Sequence, residues 1–262
     1  MQRKYIGFLA VLGIAALPAV GQIPLGTAQS FTVLGGSAVT NTGPSVITGN
    51  VGVSPGSSVG AFPPGMVVGG SIHAADAVAA QAQTDLTTAY NTAAGIPCNL
   101  DLTGQNLGGL TLTPGVYCFS SSAALTGTLT LNMQGNPNAF FLFKIGSTLT
   151  TGSASSVVLS NAGGSTCAPN VFWQVGSSAT LGTGSSFQGN VLALTSITLT
   201  TGANASGRFL ARNGAVTLDT NVIGPCSVAS VAGVPALDYA GLALLLVLLG
   251  GVGVLVMKRF GT

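Results

Sequence analysis

The chain carries almost no charge. Of its 262 residues only 5% are Asp, Glu, Lys or Arg, where a soluble domain usually has about a quarter. Between Thr27 and Cys226 the charged residues are Lys144, Arg208, Arg212, Asp76, Asp85, Asp101 and Asp219, so the positive excess of the chain lies at its termini. With no basic patch to track phosphates, nucleic acid is excluded as a partner. The span holds four scattered aspartates and no glutamate. It therefore lacks the paired carboxylates of a polysaccharide hydrolase and the acidic calcium ligands of a β-helix lyase. The single histidine, His73, stands three residues before Asp76 without further partners, and reads as packing or capping. Gly182-Thr183-Gly184 lacks the lysine and the strand-to-helix setting of a phosphate loop. Trp173 and Tyr117 are isolated aromatics in β-prone runs, suited to the core or an edge rather than to a sugar platform. Arg208 and Arg212 sit at strand spacing, placed to pair with Asp219 or to cap carbonyls. The expectation is a protein without metal, cofactor or catalytic site.

What replaces charge is glycine, 39 residues of it, and a 47% hydrophobic content ample for a core. A neutral surface must then be built from Thr, Ser, Asn and Gly. Both ends carry address signals. Arg3 and Lys4, the short apolar run Ile6–Ala16 and Pro18-Ala19 read as a secretory signal over residues 1–21, leaving a mature start near Gln22. At the other end, residues 227–239 form a linker, and Ala240–Met257 is an uninterrupted run of apolar residues and glycine. Lys258 and Arg259 follow in a basic end over 258–262. The apolar run is long enough to span a bilayer with the basic end cytoplasmic. Val234-Pro235-Ala236-Leu237 before it resembles the start of the IPTL/PEP-type sorting tails of Gram-negative envelope proteins, which membrane-embedded sorting proteases cut. An exported protein, held at the cell envelope or released by processing, is expected.

Four cysteines lie in the exported span, an even number suited to an oxidising compartment. Three pairings are open; sequence order favours Cys98 with Cys118 and Cys167 with Cys226. The spacings are not those of zinc sites.

Residues 31–70 are short β-prone runs broken by turn signals, such as Phe31-Thr32-Val33-Leu34 before Gly35-Gly36. One helix is expected over about 72–94, with Ser71 as N-cap, Gly95 at its end and Pro97 beyond. Its face of Ala75, Val78, Ala79, Ala82, Leu86, Ala89 and Ala93 is flat, so it must lie against a β structure. From Leu100 to Ile223 a repeat emerges. Leu181, Leu199 and Leu218 are the centres of three similar segments at a nearly constant interval, and Leu149 centres an earlier copy at a wider one. An insertion containing Cys167 interrupts the register. A short fixed period of this kind marks a solenoid, and roughly 18 residues at about 3.3 Å each close a three-sided coil of about 60 Å perimeter. Strand alternation turns these leucines inward and Thr148, Thr150, Thr180, Thr198, Thr200 and Thr217 outward.

Coils stacked about 4.8 Å apart, with Thr-x-Thr spacing of about 6.7 Å along each strand, make a flat uncharged grid of hydroxyls and methyls. Threonine has few rotamers, so the grid is cheap to keep ordered. Its two spacings lie close to repeats of hexagonal ice, and such a grid can order water into an ice-like layer. Outward threonine on a strand also serves simply as a solvated face. A solenoid acting as an envelope adhesin or matrix spacer is the alternative.

The chain resembles the DUF3494 family of bacterial and fungal ice-binding proteins over about residues 25–224. The likeness is carried by Leu25-Gly26-Thr27-Ala28 to Phe31, Thr40-Asn41-Thr42-Gly43-Pro44, Gly49-Asn50-Val51-Gly52-Val53-Ser54-Pro55-Gly56 and Phe62-Pro63-Pro64-Gly65. Leu110 to Tyr117, Val171-Phe172-Trp173-Gln174-Val175-Gly176 and Gly207-Arg208-Phe209-Leu210-Ala211 continue it. The resemblance implies a mainly β fold, a discontinuous right-handed β-solenoid of triangular section with one long helix alongside, in a monomeric domain over 22–226. It also implies ice as the partner, through a Thr-(Ala/Gly)-x-(Thr/Asn) motif. Thr201-Gly202-Ala203-Asn204 matches fully, while Thr183-Gly184-Ser185-Ser186 and Thr151-Gly152-Ser153-Ala154 depart at the fourth position. The candidate face thus comprises Thr151, Ser153, Thr183, Ser185, Ser186, Thr201, Ala203 and Asn204 together with the six outward threonines.

Overall fold

A computed structural model describes residues 22–226. The signal segment, linker, apolar run and basic end read above lie outside the described residues. Among the described residues no helix is long and apolar enough to cross a membrane.

Short strands, separated by turns, wind into coils whose successive sides stack as three all-parallel sheets of nine, seven and eight strands. Alternation puts Leu, Ile, Val and Phe inside and leaves Thr, Ser and Asn outside, and the three inner faces enclose one core. That core has an aromatic spine: Phe143 stacks on Trp173 with centroids 3.9 Å apart, and Phe187 lies 5.0 Å beyond. Trp173 and Tyr117 are thus core residues, as the sequence suggests. Among the described residues, two apolar clusters form, one inside the coils and one between the helix and the nine-stranded sheet.

The stacking is discontinuous. Phe31–Gly35, near the start of the described chain, pairs with Phe209–Ala211 from its last complete coil. Asn50–Val53 and Ile72–Ala74 continue upward from there. The chain then crosses to the opposite end through the α-helix α1 (Ala77–Gly95) and climbs back from Leu100. The helix buries Ala79, Ala82, Leu86, Ala89, Tyr90 and Ala93 against the outer row Val116, Leu142, Phe172, Leu192, Leu210 and Leu34 of the nine-stranded sheet. An alanine face allows that close approach, and it supplies the second covered face that a parallel sheet requires.

The helix starts later than expected. Ile72–Ala74 pairs as a strand with Val51–Val53, and Asp76, not Ser71, is the N-cap, its carboxylate accepting from Ala79 N at 2.8 Å. Local apolar spacing cannot register a strand partner that belongs to the preceding coil. The His73 ring packs edge-on against Phe31, and its Nδ1 bonds the Asp76 carboxylate at 2.7 Å. At the other end of α1, Lys144 Nζ donates to Ile96 O at 2.6 Å. Arg208 caps the Gln29 carbonyl at 2.8 Å and Arg212 lies over the Tyr90 ring. Neither arginine bonds Asp219. Cys98 pairs with Cys118 and Cys167 with Cys226.

Candidate functional site

The seven-stranded sheet bears the grid. Thr150 pairs with Thr180, Thr180 with Thr198, Thr198 with Thr217 and Thr217 with Thr40, so five consecutive coils present threonine outward in one row. Their neighbours point inward and are buried: Leu149, Ala179, Ile197, Val216 and Val39 on one side of the row, Leu181, Leu199 and Leu218 on the other. A second outward row holds Ser122, Thr148, Ser178 and Ser196, with Thr148 Oγ1 donating to Ser122 Oγ at 2.9 Å. Within the first row Thr40 Oγ1 donates to Thr217 Oγ1 at 3.2 Å. Thr200 donates to Leu181 O at 2.8 Å and meets Thr183 Oγ1 at 3.3 Å. These contacts run from coil to coil and hold the hydroxyls at the strand spacing.

The sheet then turns a corner into the eight-stranded sheet, and the motif lies on that corner. The turn residue is left-handed in the coils from 154 upward: Ala154 (φ 54°), Gly184 (66°), Gly202 (68°), Thr220 (54°) and Gly43 (73°). Glycine suits this position because it has no Cβ to crowd the positive φ. The amide after each first motif residue donates to the first motif residue of the next coil: Ala154 N to Thr183 O, Gly184 N to Thr201 O, Gly202 N to Asp219 O and Thr220 N to Thr42 O. The first-position ladder therefore runs Ser153, Thr183, Thr201, Asp219, Thr42. The third position turns inward, and Ser155, Ser185, Ala203 and Asn221 are buried. The fourth position faces out in the row Ser156, Ser186, Asn204 and Val222. Asn221 braces the corner, its amide donating to Thr200 O at 3.0 Å and Ala203 O at 2.8 Å.

This register corrects the sequence alignment by two residues. Leu149 pairs with Ala179, not Leu181, so the chain from Thr150 to Thr180 makes a single enlarged coil. Thr151 then occupies an inward position and is only 4% exposed, its Oγ1 accepting from Gly182 N. The true third copy is Ser153-Ala154-Ser155-Ser156. A shift of two preserves the side each residue faces, which is why the apolar pattern alone did not expose the error. Of the expected face, Thr148, Thr150, Thr180, Thr198 and Thr217 face out on the seven-stranded sheet, Ser153, Thr183 and Thr201 stand at its corner, and Ser186 and Asn204 open strands of the eight-stranded sheet beyond it, with Thr200 half-exposed between. Thr151, Ser185 and Ala203 lie beneath these rows. Thr40, Thr42, Ser156 and Asp219 stand in the same rows and were missed. Counting seven positions on from the inward residues Leu149, Ala179 and Ile197 reaches Ser156, Ser186 and Asn204, a signal already present in the sequence.

The surface bears little charge. Among the described residues, Asp76, Asp85, Asp101, Lys144, Arg208 and Arg212 lie on the helix, on the sheet that it covers, or in that sheet's flanking turns, leaving Asp219 as the charged group on the grid. The grid presents hydroxyls and methyls repeated in register from coil to coil.

Comparison with known proteins agrees with this architecture. Residues 33–224 match the family model described as Ice-binding-like. The ice-binding protein of Nostoc sp. (strain HG1) is 60% identical over 228 residues, covering 85% of this chain and 83% of that protein. The ice-binding protein of Colwellia sp. is 36% identical, covering 77% and 83%. Among solved structures, an ice-binding protein from an Antarctic biological consortium superposes with a TM-score of 0.74 at 49% identity, covering 81% of this chain and 96% of that one. The DUF3494 domain of Shewanella frigidimarina ice-binding protein 1 gives 0.72 at 32%, covering 79% and 99%. The chain belongs to the ice-binding-like (DUF3494) family.

Proposed function

We propose that this protein adsorbs to ice through the outer surface of the seven-stranded sheet and the corner ladder beside it. The observation that carries the reading is the row Thr150, Thr180, Thr198, Thr217 and Thr40, in register over five coils. Rows about 4.8 Å apart present hydroxyls to fix water positions and methyls to exclude disordered water. Each contact is weak, and affinity is the sum over a rigid plane. The binding partner is ordered water rather than a substrate, and the reading is of a binding protein, not an enzyme. The likeness to proteins named for ice binding supports it. The apolar run 240–257 with its basic end supports tethering to the envelope through a membrane helix, and the Pro-containing motif supports processing by a sorting protease.

The test is purified 22–226 at micromolar concentration in an ice-shaping and recrystallisation assay. Wild type should facet ice crystals, and Thr198→Lys or Thr201→Lys should abolish this while circular dichroism is unchanged. A wild-type domain that leaves ice growth unaltered would return the solenoid to the role of adhesin or spacer.

A further inference from the structure

We infer that Asp219 limits the ice-adsorbing plane, so that its neutral replacement enlarges the working surface; the inference rests on the adsorption reading above. Asp219 stands in the first-position ladder between Thr201 and Thr42, fixed there by Gly202 N donating to Asp219 O and by its pairing with Thr42. The other rungs of that ladder, Ser153, Thr183, Thr201 and Thr42, all carry a hydroxyl. The Thr201 hydroxyl donates to the Asp219 carboxylate at 2.5 Å and the Thr220 hydroxyl at 3.0 Å. An ionised carboxylate only accepts hydrogen bonds. Both neighbouring hydroxyls have spent their protons on it, so three adjacent groups offer water nothing but lone pairs. In ice each water donates twice and accepts twice. A patch that accepts only must orient all its waters one way, which a continuing lattice does not tolerate. The charge adds a second cost, because its tightly held hydration must be given up where the lattice meets the protein.

The ladder is consequently divided. Ser153, Thr183 and Thr201 form its lower stretch, and Thr42 lies above the carboxylate. The adjoining fourth-position row changes at the same height, from Asn204 to Val222 and Val46. Asp219 is a determinant of potency, and among the described residues it forms no ion pair: its side-chain partners there are the exposed hydroxyls of Thr201 and Thr220.

The experiment compares 22–226 wild type with Asp219→Asn, Asp219→Thr and Asp219→Glu by thermal hysteresis at equal concentration, with thermal melts alongside. Asparagine is isosteric and supplies donors; threonine restores the rung. Both should raise hysteresis by on the order of twofold as more rungs act together, and glutamate should give no gain. Folded Asn and Thr variants at or below the wild-type value, with wild type shaping ice, overturn the inference alone and make Asp219 an ordering group for Thr201. A wild type without effect on ice overturns the adsorption reading and this inference together.

Discussion

Trp173 stacks on Phe143 with ring centroids 3.9 Å apart and planes 10° from parallel, while its indole N–H donates to Gln188 O at 3.0 Å. The ring bridges two sides of the coil, since Phe143 and Trp173 belong to the nine-stranded sheet and Gln188 to the eight-stranded one. It is the only tryptophan in the chain. Trp173→Phe should keep the stack and lose the hydrogen bond, costing about 1 kcal/mol, whereas Trp173→Ala should cost about 3–5 kcal/mol. Denaturant melts read by circular dichroism check both values. In the wild type, tryptophan emission should shift to the red in one cooperative step.

The corrected register makes a paired prediction about adjacent residues. Thr150 faces out and Thr151 faces in, with Thr151 Oγ1 accepting from Gly182 N at 2.9 Å. Thr151→Ala should lower stability by about 1–2 kcal/mol and leave ice shaping intact in the folded protein. Thr150→Lys should do the reverse. If Thr151→Ala lost ice shaping while remaining folded, the inward assignment would be wrong.

Acid should weaken the helix cap, the helix's link to Thr27 and the turn after Leu100–Asp101. The Thr27 hydroxyl and amide, both donating to Asp85 at 2.7 Å, hold that carboxyl below its ordinary 3.8. The Ala79 amide, and then His73, do the same for Asp76, and the Thr103 hydroxyl and amide for Asp101. A folded pKa below the unfolded one gives stability that is present above the unfolded value and lost as pH falls through the folded value. Melting temperature should therefore be insensitive to these groups above about pH 5 and decline below about pH 4. In Asp85→Asn the decline should be shallower; a superimposable acid limb would remove Asp85 from the explanation.

The two disulfides should contribute unequally. Cys167–Cys226 closes 59 residues and Cys98–Cys118 closes 20. Chain entropy assigns about 4 kcal/mol to the first and about 3 kcal/mol to the second. The Cys167→Ser/Cys226→Ser double variant should melt lower than the Cys98→Ser/Cys118→Ser variant. The opposite ranking would show that the bond joining the end of α1 to Gly115–Phe119 acts through native packing instead.

The Asp76 cap offers a local check on the helix boundary. Asp76→Ala should cost about 1 kcal/mol by leaving the Ala79 amide unpaired, and Ser71→Ala should cost less, because Ser71 precedes a strand rather than the helix. Equal losses in thermal melts of the two variants would contradict the boundary.

Much of this protein was determined by sequence alone. The period set by Leu181, Leu199 and Leu218 specified a solenoid, because only stacked coils bury the same position in every repeat. Strand alternation fixed which threonines face out, and the alanine face of α1 required a flat partner. Three things waited on tertiary structure. The two-residue register of Leu149 against Ala179 depends on where the insertion carrying Cys167 returns to the stack, and alternation is blind to an even shift. Ile72–Ala74 is a strand because Val51–Val53 lies beside it, a non-local pairing that overrides helical spacing. Finally, the order of coils is not the order of the chain. The helix carries the chain to the far end, so Thr40 and Thr42 complete a face begun by Thr217 and Asp219. Repeats can be counted along a sequence, but which of them become neighbours is decided by how the core closes.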